Sequence, residues 1–271
     1  MIVGVTNRGG VFSDIWLAPL IRALDRGMDL AAGLHKRLND VPQLAAAAAR
    51  NGRKIFDVRH PTEEFPIATG IKRPGKRLLT VGTDCSIGKM YTTLALEKEM
   101  HKRGMKADFR ATGQTGVLIA GSGVAIDAVV SDFVAGCVET LSPANAPDHW
   151  DLVEGQGSLF HASYAGVTMA LIHGSQPDAL VMCHEPKRPH MRGLPGYKLP
   201  DLQRCIDANV AAARLTNPKA KCIAVSLNTS ALSAKAAERA IKSTEDKIGL
   251  PTVDPARTGV GRIVDRMARM T

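Results

Sequence analysis

The sequence predicts an α/β protein with a Rossmann-like N-terminal domain and a P-loop NTPase-like, mostly parallel-sheet domain after it. Short apolar runs alternate with helix-length segments from end to end, which is the pattern of strands joined by crossover helices. Two of the apolar runs lead straight into glycine turns, at 5-VTNRGG-10 and 81-VGTDCSIGK-89. No internal repeat or low-complexity tract interrupts the alternation.

Taken in order, residues 2–5 read as a buried strand, and Asn7, Arg8, Gly9 and Gly10 as a turn before a helix near 13–26. A short strand at 29–33 precedes a loop over 35–40. The alanine-rich helix that starts near Val41 stops at Asn51 and Gly52, and residues 54–58 form a further strand. Residues 59–75 hold three prolines and two glycines without periodicity and read as a linker. A first domain over 1–70 and a second over 71–271 follow. The second opens with a strand at 77–82 and a helix at 88–103, whose last turn carries Lys98, Lys102 and Arg103 where the helix dipole favours cations. A strand near 107–111, the loop 112-TGQTG-116, and a strand and helix through about 141 come next. Strands are predicted at 151–155, 179–183 and 222–227, helices near 201–215 and 233–248, and a closing helix over 259–270.

Composition narrows the function. With 45% hydrophobic and 23% charged residues the chain is an ordinary globular one, and no run reaches the roughly 18 apolar residues of a membrane span. The N-terminus lacks the basic start and apolar core of a signal peptide, so a cytoplasmic location is expected. Five scattered cysteines without a C-x-x-C pair argue against a disulfide framework or zinc ribbon. Four of them read as core thiols; Cys85 lies in the glycine loop, where positive potential would lower its pKa. The net charge of +9 points to anionic ligands. Only 4% of residues are aromatic and no basic block appears, so a phosphorylated small molecule and an acidic substrate fit better than nucleic acid.

The segment Gly82, Thr83, Asp84, Cys85, Ser86, Ile87, Gly88, Lys89 is the strongest local signal. Backbone N–H groups of a glycine turn and of the next helix's first turn converge on one point and bind anions, and Lys89 adds a charge there. The spacing departs by one from G-x-x-x-x-G-K-[ST]. Met90 stands where Ser or Thr would hold magnesium, and a thioether is a poor ligand for that hard cation. Binding of phosphate without metal-driven cleavage is the expectation.

The wording G-T-D-x-x-x-G-K resembles the phosphate loop of dethiobiotin synthetase-type P-loop enzymes. Glu154, Gly155, Gln156 and Gly157 resemble their E-G-A-G turn, and Asn228 resembles the asparagine they set near the base. A closer resemblance runs through NRGGVFSDIW, GLHKRLNDVP, TVGTDCSIGK, DFRATGQTG, DHWDLVEGQGSLFH, HGSQPDALVMCHEP, HMRGLPGY, SLNTSAL and DPARTGVGRIVDRM. By these the chain resembles the DgcN-like family, D-glutamate N-acetyltransferase-like proteins with a P-loop NTPase-like C-terminal half. The resemblance covers nearly the whole chain. It implies acetyl-CoA as donor and D-glutamate as acceptor, with the phosphate loop on the CoA phosphates. Family members begin at least one strand–helix unit earlier, which leads to the expectation of an incomplete first sheet.

Such a transfer needs a base for the ammonium, a donor to the thioester oxyanion and cations for the substrate carboxylates. Glu154, His161 and His190 are the candidate bases; a strand-end ion pair, a core histidine and a surface histidine are the alternatives. Carboxylate recognition falls to Arg110 with Thr112, Gln114 and Thr115, and to Arg188 and Arg192, which flank His190 in a proline-punctuated loop that is otherwise plain surface. Asn7, Arg8 and His35 could reach a shared cleft or serve as turn and capping residues. No metal ligand is assigned. Two other readings stay open: an ATP- and magnesium-dependent kinase or ligase using Asp84 or Glu154 on the metal, and a non-catalytic nucleotide- or CoA-binding protein. Partners are expected to be small molecules, with no nucleic acid or membrane, and the chain is expected to form a homo-oligomer.

Overall fold

A computed structural model describes residues 1–5 and 12–270. The chain divides into two compact units, one holding Met1–Glu64 with Gly113–Val129, the other Phe65–Thr112 with Val130–Thr271. Both are α/β, as the sequence predicts.

The first unit runs β1 (Ile2–Val3), α1 (Leu17–Asp25), β2 (Leu30–Ala32), α2 (Pro42–Asn51) and β3 (Ile55–Asp57). The strands form a parallel sheet in the order β1-β2-β3. Leu20, Leu24, Leu30, Leu38 and Leu44 are completely or almost completely buried in its core. Proline opens α2 and Gly52 closes it in the left-handed region at φ 59°. The N-terminal strand was expected to be buried; Val3 is, but Ile2 is 64% exposed because β1 lies at an edge of this sheet.

The second unit opens with β4 (Lys76–Gly82), α3 (Lys89–Lys102) and β5 (Ala107–Arg110). The chain then enters the first unit's segment, which holds α4 (Gln114–Ala120). It continues with α5 (Ser131–Leu141), β6 (Trp150–Val153), α6 (Ala165–Ser175), β7 (Ala179–His184), α7 (Leu202–Arg214), β8 (Lys221–Leu227), α8 (Ala234–Ile248), β9 (Thr252–Val253) and α9 (Gly261–Ala268). Six parallel strands pair in the order β5-β6-β4-β7-β8-β9. β7 reads as an almost continuous apolar run, and β4 is buried from Arg77 to Gly82, because sheets covered on both faces bury successive residues alike. The strands after β4 continue on one side of it with β6 and β5 and on the other with β7 and β8. The carboxyl end of β4 is therefore a topological switch point, where open α/β sheets bind ligands.

Three readings are corrected. The strand expected between 116 and 141 is absent: 117-VLIA-120 is a helix, bracketed by extended Gly113 and left-handed Gly121. Helix α6 escaped the sequence reading because it is apolar on most sides, packed between α5 and α7, and shows no amphipathic period. Residues 65–75 carry no regular element but are no free linker. Glu139 accepts from Thr69 N (2.9 Å), Thr69 Oγ1 (3.0 Å) and Gly70 N (3.0 Å), and Arg73 donates to Ser142 O and Gly174 O. The strand is seated as firmly: fully buried Arg77 donates to the carbonyls of Arg73, Pro74, Ser142 and Pro143.

Candidate active site

Residues 82–89 leave β4 at the switch point and curl into α3. Two left-handed residues, Ser86 at φ 50° and Gly88 at φ 102°, make the curl. A Cβ on Gly82 would lie 2.5 Å from Ile87 Cδ1 and 3.3 Å from Cys183 O, so the glycine leaves room for buried Ile87 beneath the loop. None of the N–H groups of Ser86, Ile87, Gly88, Lys89 and Met90 donates to an acceptor among the described residues. Unpaired N–H groups at the start of a helix, with its dipole behind them, are the arrangement that anion-binding nests have.

Lys89 is buried, and its Nζ donates to Asp84 O (2.8 Å) and Gly157 O (2.9 Å). Burial pulls its pKa below the ordinary lysine value, countered by the nearby Cys85, Cys183 and Asp84. The β6 turn is fitted to this lysine. A Cβ on Gly155 would fall 1.6 Å from Thr80 O and 3.0 Å from Lys89 Cδ, so only glycine lets the chain pass. Glu154, also buried, accepts from Thr112 N (3.0 Å) and Gln156 Nε2 (3.0 Å), while its carbonyl accepts from Thr112 Oγ1 (2.6 Å). The carboxylate thus ties together the ends of β5 and β6.

The outer side of the loop is gripped by the segment after β7. Arg188 Nη1 donates to Asp84 Oδ2 (2.7 Å) and Cys85 O (2.7 Å), its Nη2 to Ser86 O (2.9 Å) and to Glu185. The backbone N–H of Arg192 adds a bond to Asp84 Oδ2 (2.8 Å), and Asp84 Oδ1 accepts from Cys85 N (2.7 Å). Carbonyls that point outward to a guanidinium leave the N–H groups pointing inward, so Arg188 shapes the nest. Both nitrogens of buried His161 are in use: Nδ1 accepts from Ser163 N (3.1 Å), which puts the proton on Nε2, facing Arg192 O at 3.1 Å. His161 therefore anchors the Arg188 segment. His190 lies in the same segment with Nδ1 3.0 Å from Met191 O.

The structure brings together residues 82–90, Glu154, His161, Arg188, the backbone of Arg192, and Asn228. Asn228 N donates to His184 O (2.8 Å), and its Cβ lies 3.9 Å from where a Cβ on Gly88 would be. Arg110 stands apart: Asp151 (2.8 Å to Nε) and Asp108 (3.0 Å) occupy its guanidinium. Thr112 belongs to the second unit, but Gln114 and Thr115 belong to the first, where Gln114 packs over Gly33. His35 is an exposed residue of the first unit, and Asn7 and Arg8 lie outside the described residues. The expectation for Cys85 is reversed: burial raises its thiol pKa, and the lowering by Lys89, Arg192 and Arg188 does not overcome it. The residue the sequence reading missed is His184, whose Nδ1 lies 2.9 Å from Thr83 Oγ1. Its signal was present, a histidine at the carboxyl end of the strand 179-ALVMCH-184.

Two groups carry ligand atoms within 4.8 Å of one another, Asp84 with Cys85 and His161, and Asp108 with His149 and Asp151. Each contains a carboxylate already paired with an arginine, Asp84 with Arg188 and Asp151 with Arg110. As they stand, both groups are parts of ion-pair networks.

A glycine-lysine loop at the end of a central strand of a six-stranded parallel sheet, following a small Rossmann-like sheet, defines a P-loop α/β protein. Comparison with known proteins specifies it further. The chain belongs to the DUF1611 family: residues 1–61 match its N-terminal Rossmann-like domain of unknown function and residues 66–264 its C-terminal P-loop domain. A DUF1611 family protein from Anabaena variabilis has a similar crystal structure, with TM-score 0.93, 37% identity, and coverage of 99% of this chain and 79% of that one. The chain is also 56% identical over 268 residues to a D-glutamate N-acetyltransferase of Tritonibacter scottomollicae (99% of this chain, 80% of that protein). It is 48% identical over 263 residues to one from a Pseudoalteromonas species, covering 97% and 79%.

Proposed function

We propose that the protein transfers the acetyl group of acetyl-CoA to the amino group of D-glutamate, with residues 82–89 holding phosphate groups of the donor. Its class, an acyltransferase, rests on kinship at 56% and 48% identity with two D-glutamate N-acetyltransferases. The observation that supports the donor assignment is the loop itself: five N–H groups without an acceptor among the described residues, with Lys89 beside them and no Ser or Thr after that lysine. Met90 offers sulfur, and the next two hydroxyls are committed elsewhere. Thr92 Oγ1 bonds Gly88 O (3.0 Å) and Ser226 Oγ (2.8 Å); Thr93 Oγ1 bonds Lys89 O (2.9 Å) and Thr80 Oγ1 (3.0 Å). Such a site supports binding of phosphate as an anchor over its hydrolysis.

The experiment is direct. Purified protein with D-glutamate and acetyl-CoA should release free thiol without added ATP, and CoA should raise Tm in the presence of EDTA. Thiol release that requires Mg-ATP, or a Tm shift with Mg-ATP alone, would favour the ligase reading. A Tm shift with CoA but no turnover would favour the binding protein.

A further inference from the structure

His184 ends β7 directly beside the phosphate loop, yet nothing in the ion-pair network around Asp84 uses it. Thr83, the residue that follows Gly82, sits 2.9 Å from its Nδ1. Asn228, which borders Gly88 at the far end of the loop, donates its backbone N–H to His184 O. The ring is thus held against Thr83 at the start of the loop, while the backbone of the same residue is bonded to Asn228, the neighbour of Gly88. Its Nε2 makes no hydrogen bond among the described residues and is not a buried unpartnered atom, so it opens towards solvent.

We propose that His184 is a further ligand of the anion bound in the nest: Thr83 Oγ1–H donates to Nδ1, which places the ring proton on Nε2 and turns that N–H towards the phosphate. The second half of the inference is that donor binding takes up a proton. Burial holds the His184 pKa below the ordinary histidine value, with Arg188 adding to the lowering and Glu185 opposing it. Other charges around it are Lys89, bound to carbonyls, and Asp84, paired with Arg188. An arriving anion favours the imidazolium and raises that pKa, so a ring that is neutral in the empty site gains a proton in the complex. By linkage, affinity for the anion rises as pH falls through the raised pKa of the complex and levels off below the depressed pKa of the empty site.

This rests on the reading that the loop holds phosphates of the acetyl donor, and the test separates the two. Dephospho-CoA is a suitable titrant because its pyrophosphate diester has no ionisation near neutrality. Calorimetry at pH 7 in two buffers of different ionisation enthalpy counts protons. Wild type should take up a fraction of a proton per ligand bound. His184→Gln keeps an N–H donor but cannot titrate, so it should bind with near wild-type affinity at pH 8 and take up none. His184→Ala should lose about tenfold in affinity, the worth of one hydrogen bond to a charged group. The second arm uses sulfate, which needs no CoA site: its binding should raise the His184 pKa followed by NMR. Dephospho-CoA binding with no proton uptake, or with uptake unchanged in His184→Gln, would overturn the inference and leave the donor assignment standing. Failure of both CoA and dephospho-CoA to bind while sulfate still raises the His184 pKa would sink the donor assignment and keep His184 as an anion ligand.

Discussion

The guanidinium of Arg188, which the sequence leaves as either a carboxylate clamp or plain surface, is taken up in the structure by the loop itself. Four acceptors, Asp84 Oδ2, Cys85 O, Ser86 O and Glu185, take up the guanidinium. Asp84 is fully buried, and a buried ion pair that loses one partner leaves an uncompensated charge, at a cost of about 3–5 kcal/mol. Arg188→Gln should therefore lower unfolding stability by about 3 kcal/mol in urea and weaken CoA binding as well, because the loop carbonyls lose the group that turns them outward. The double variant Asp84→Asn with Arg188→Gln should recover part of the stability without recovering the affinity. An Arg188→Gln protein that keeps wild-type stability would show that the pair is not what holds the loop. Lysine would not substitute, since an ammonium cannot span two adjacent carbonyls and a carboxylate as a planar fork does. Gly155 offers a sharper test of the same site. Alanine there places a methyl 1.6 Å from Thr80 O, and the backbone of β6 must shift away from β4. A loss of stability above about 3 kcal/mol is expected on chemical denaturation, beyond the usual cost of overpacking.

Among the elements, legibility follows how local the determining forces are. The strands β4, β7 and β8 and the helices α2, α3, α7 and α8 were readable because burial pattern and end signals coincide within each, as Asp201 and Ser233 do by capping α7 and α8 with their side chains. What the sequence hid depends on partners far along the chain. The run 117-VLIA-120 has equal claims to strand and helix, and only its surroundings decide. Residues 65–75 read as linker because proline and glycine mark irregular backbone, but irregular backbone is not loose backbone. Gly136 in α5 lets this segment lie on the helix, for a Cβ there would be 1.9 Å from Pro66 O. Gly136→Ala should push the segment off α5 and cost about 1–3 kcal/mol. The amides of Thr69 and Gly70, both held by Glu139, should lose hydrogen-exchange protection selectively, while amides of β4 keep theirs. Uniform loss across the sheet would indicate instead that α5 itself is broken. The candidate site divides in the same way. Residues 82–89 announce themselves by glycine and lysine spacing, whereas the histidine that borders them is 95 positions on from Lys89 and becomes visible only when strand order places β7 beside β4.

For the molecule as a whole, the balance of charge bears on how it meets its ligands. The chain carries a net charge of +9 with basic groups spread along its length, and both proposed substrates are anions. A field of this sign draws them in from a distance, and salt weakens that long-range part, because the Debye length shrinks from about 10 Å at 0.1 M to about 3 Å at 1 M. The contacts within the nest behave differently, since Lys89 and the loop amides act over hydrogen-bond distance in a partly dehydrated site, where ions screen little. Raising KCl from 0.1 to 1 M should therefore lower the association rate for CoA several-fold while changing the dissociation rate little, as stopped-flow binding would report. EDTA should alter neither rate if the loop holds phosphate without a metal, as proposed. If salt instead accelerated dissociation in proportion, the phosphates would be lying on exposed basic surface and not within the loop. Lys89→Ala tells these cases apart: its effect should fall on the dissociation rate if Lys89 grips the bound phosphate, and be absent if the ligand sits elsewhere.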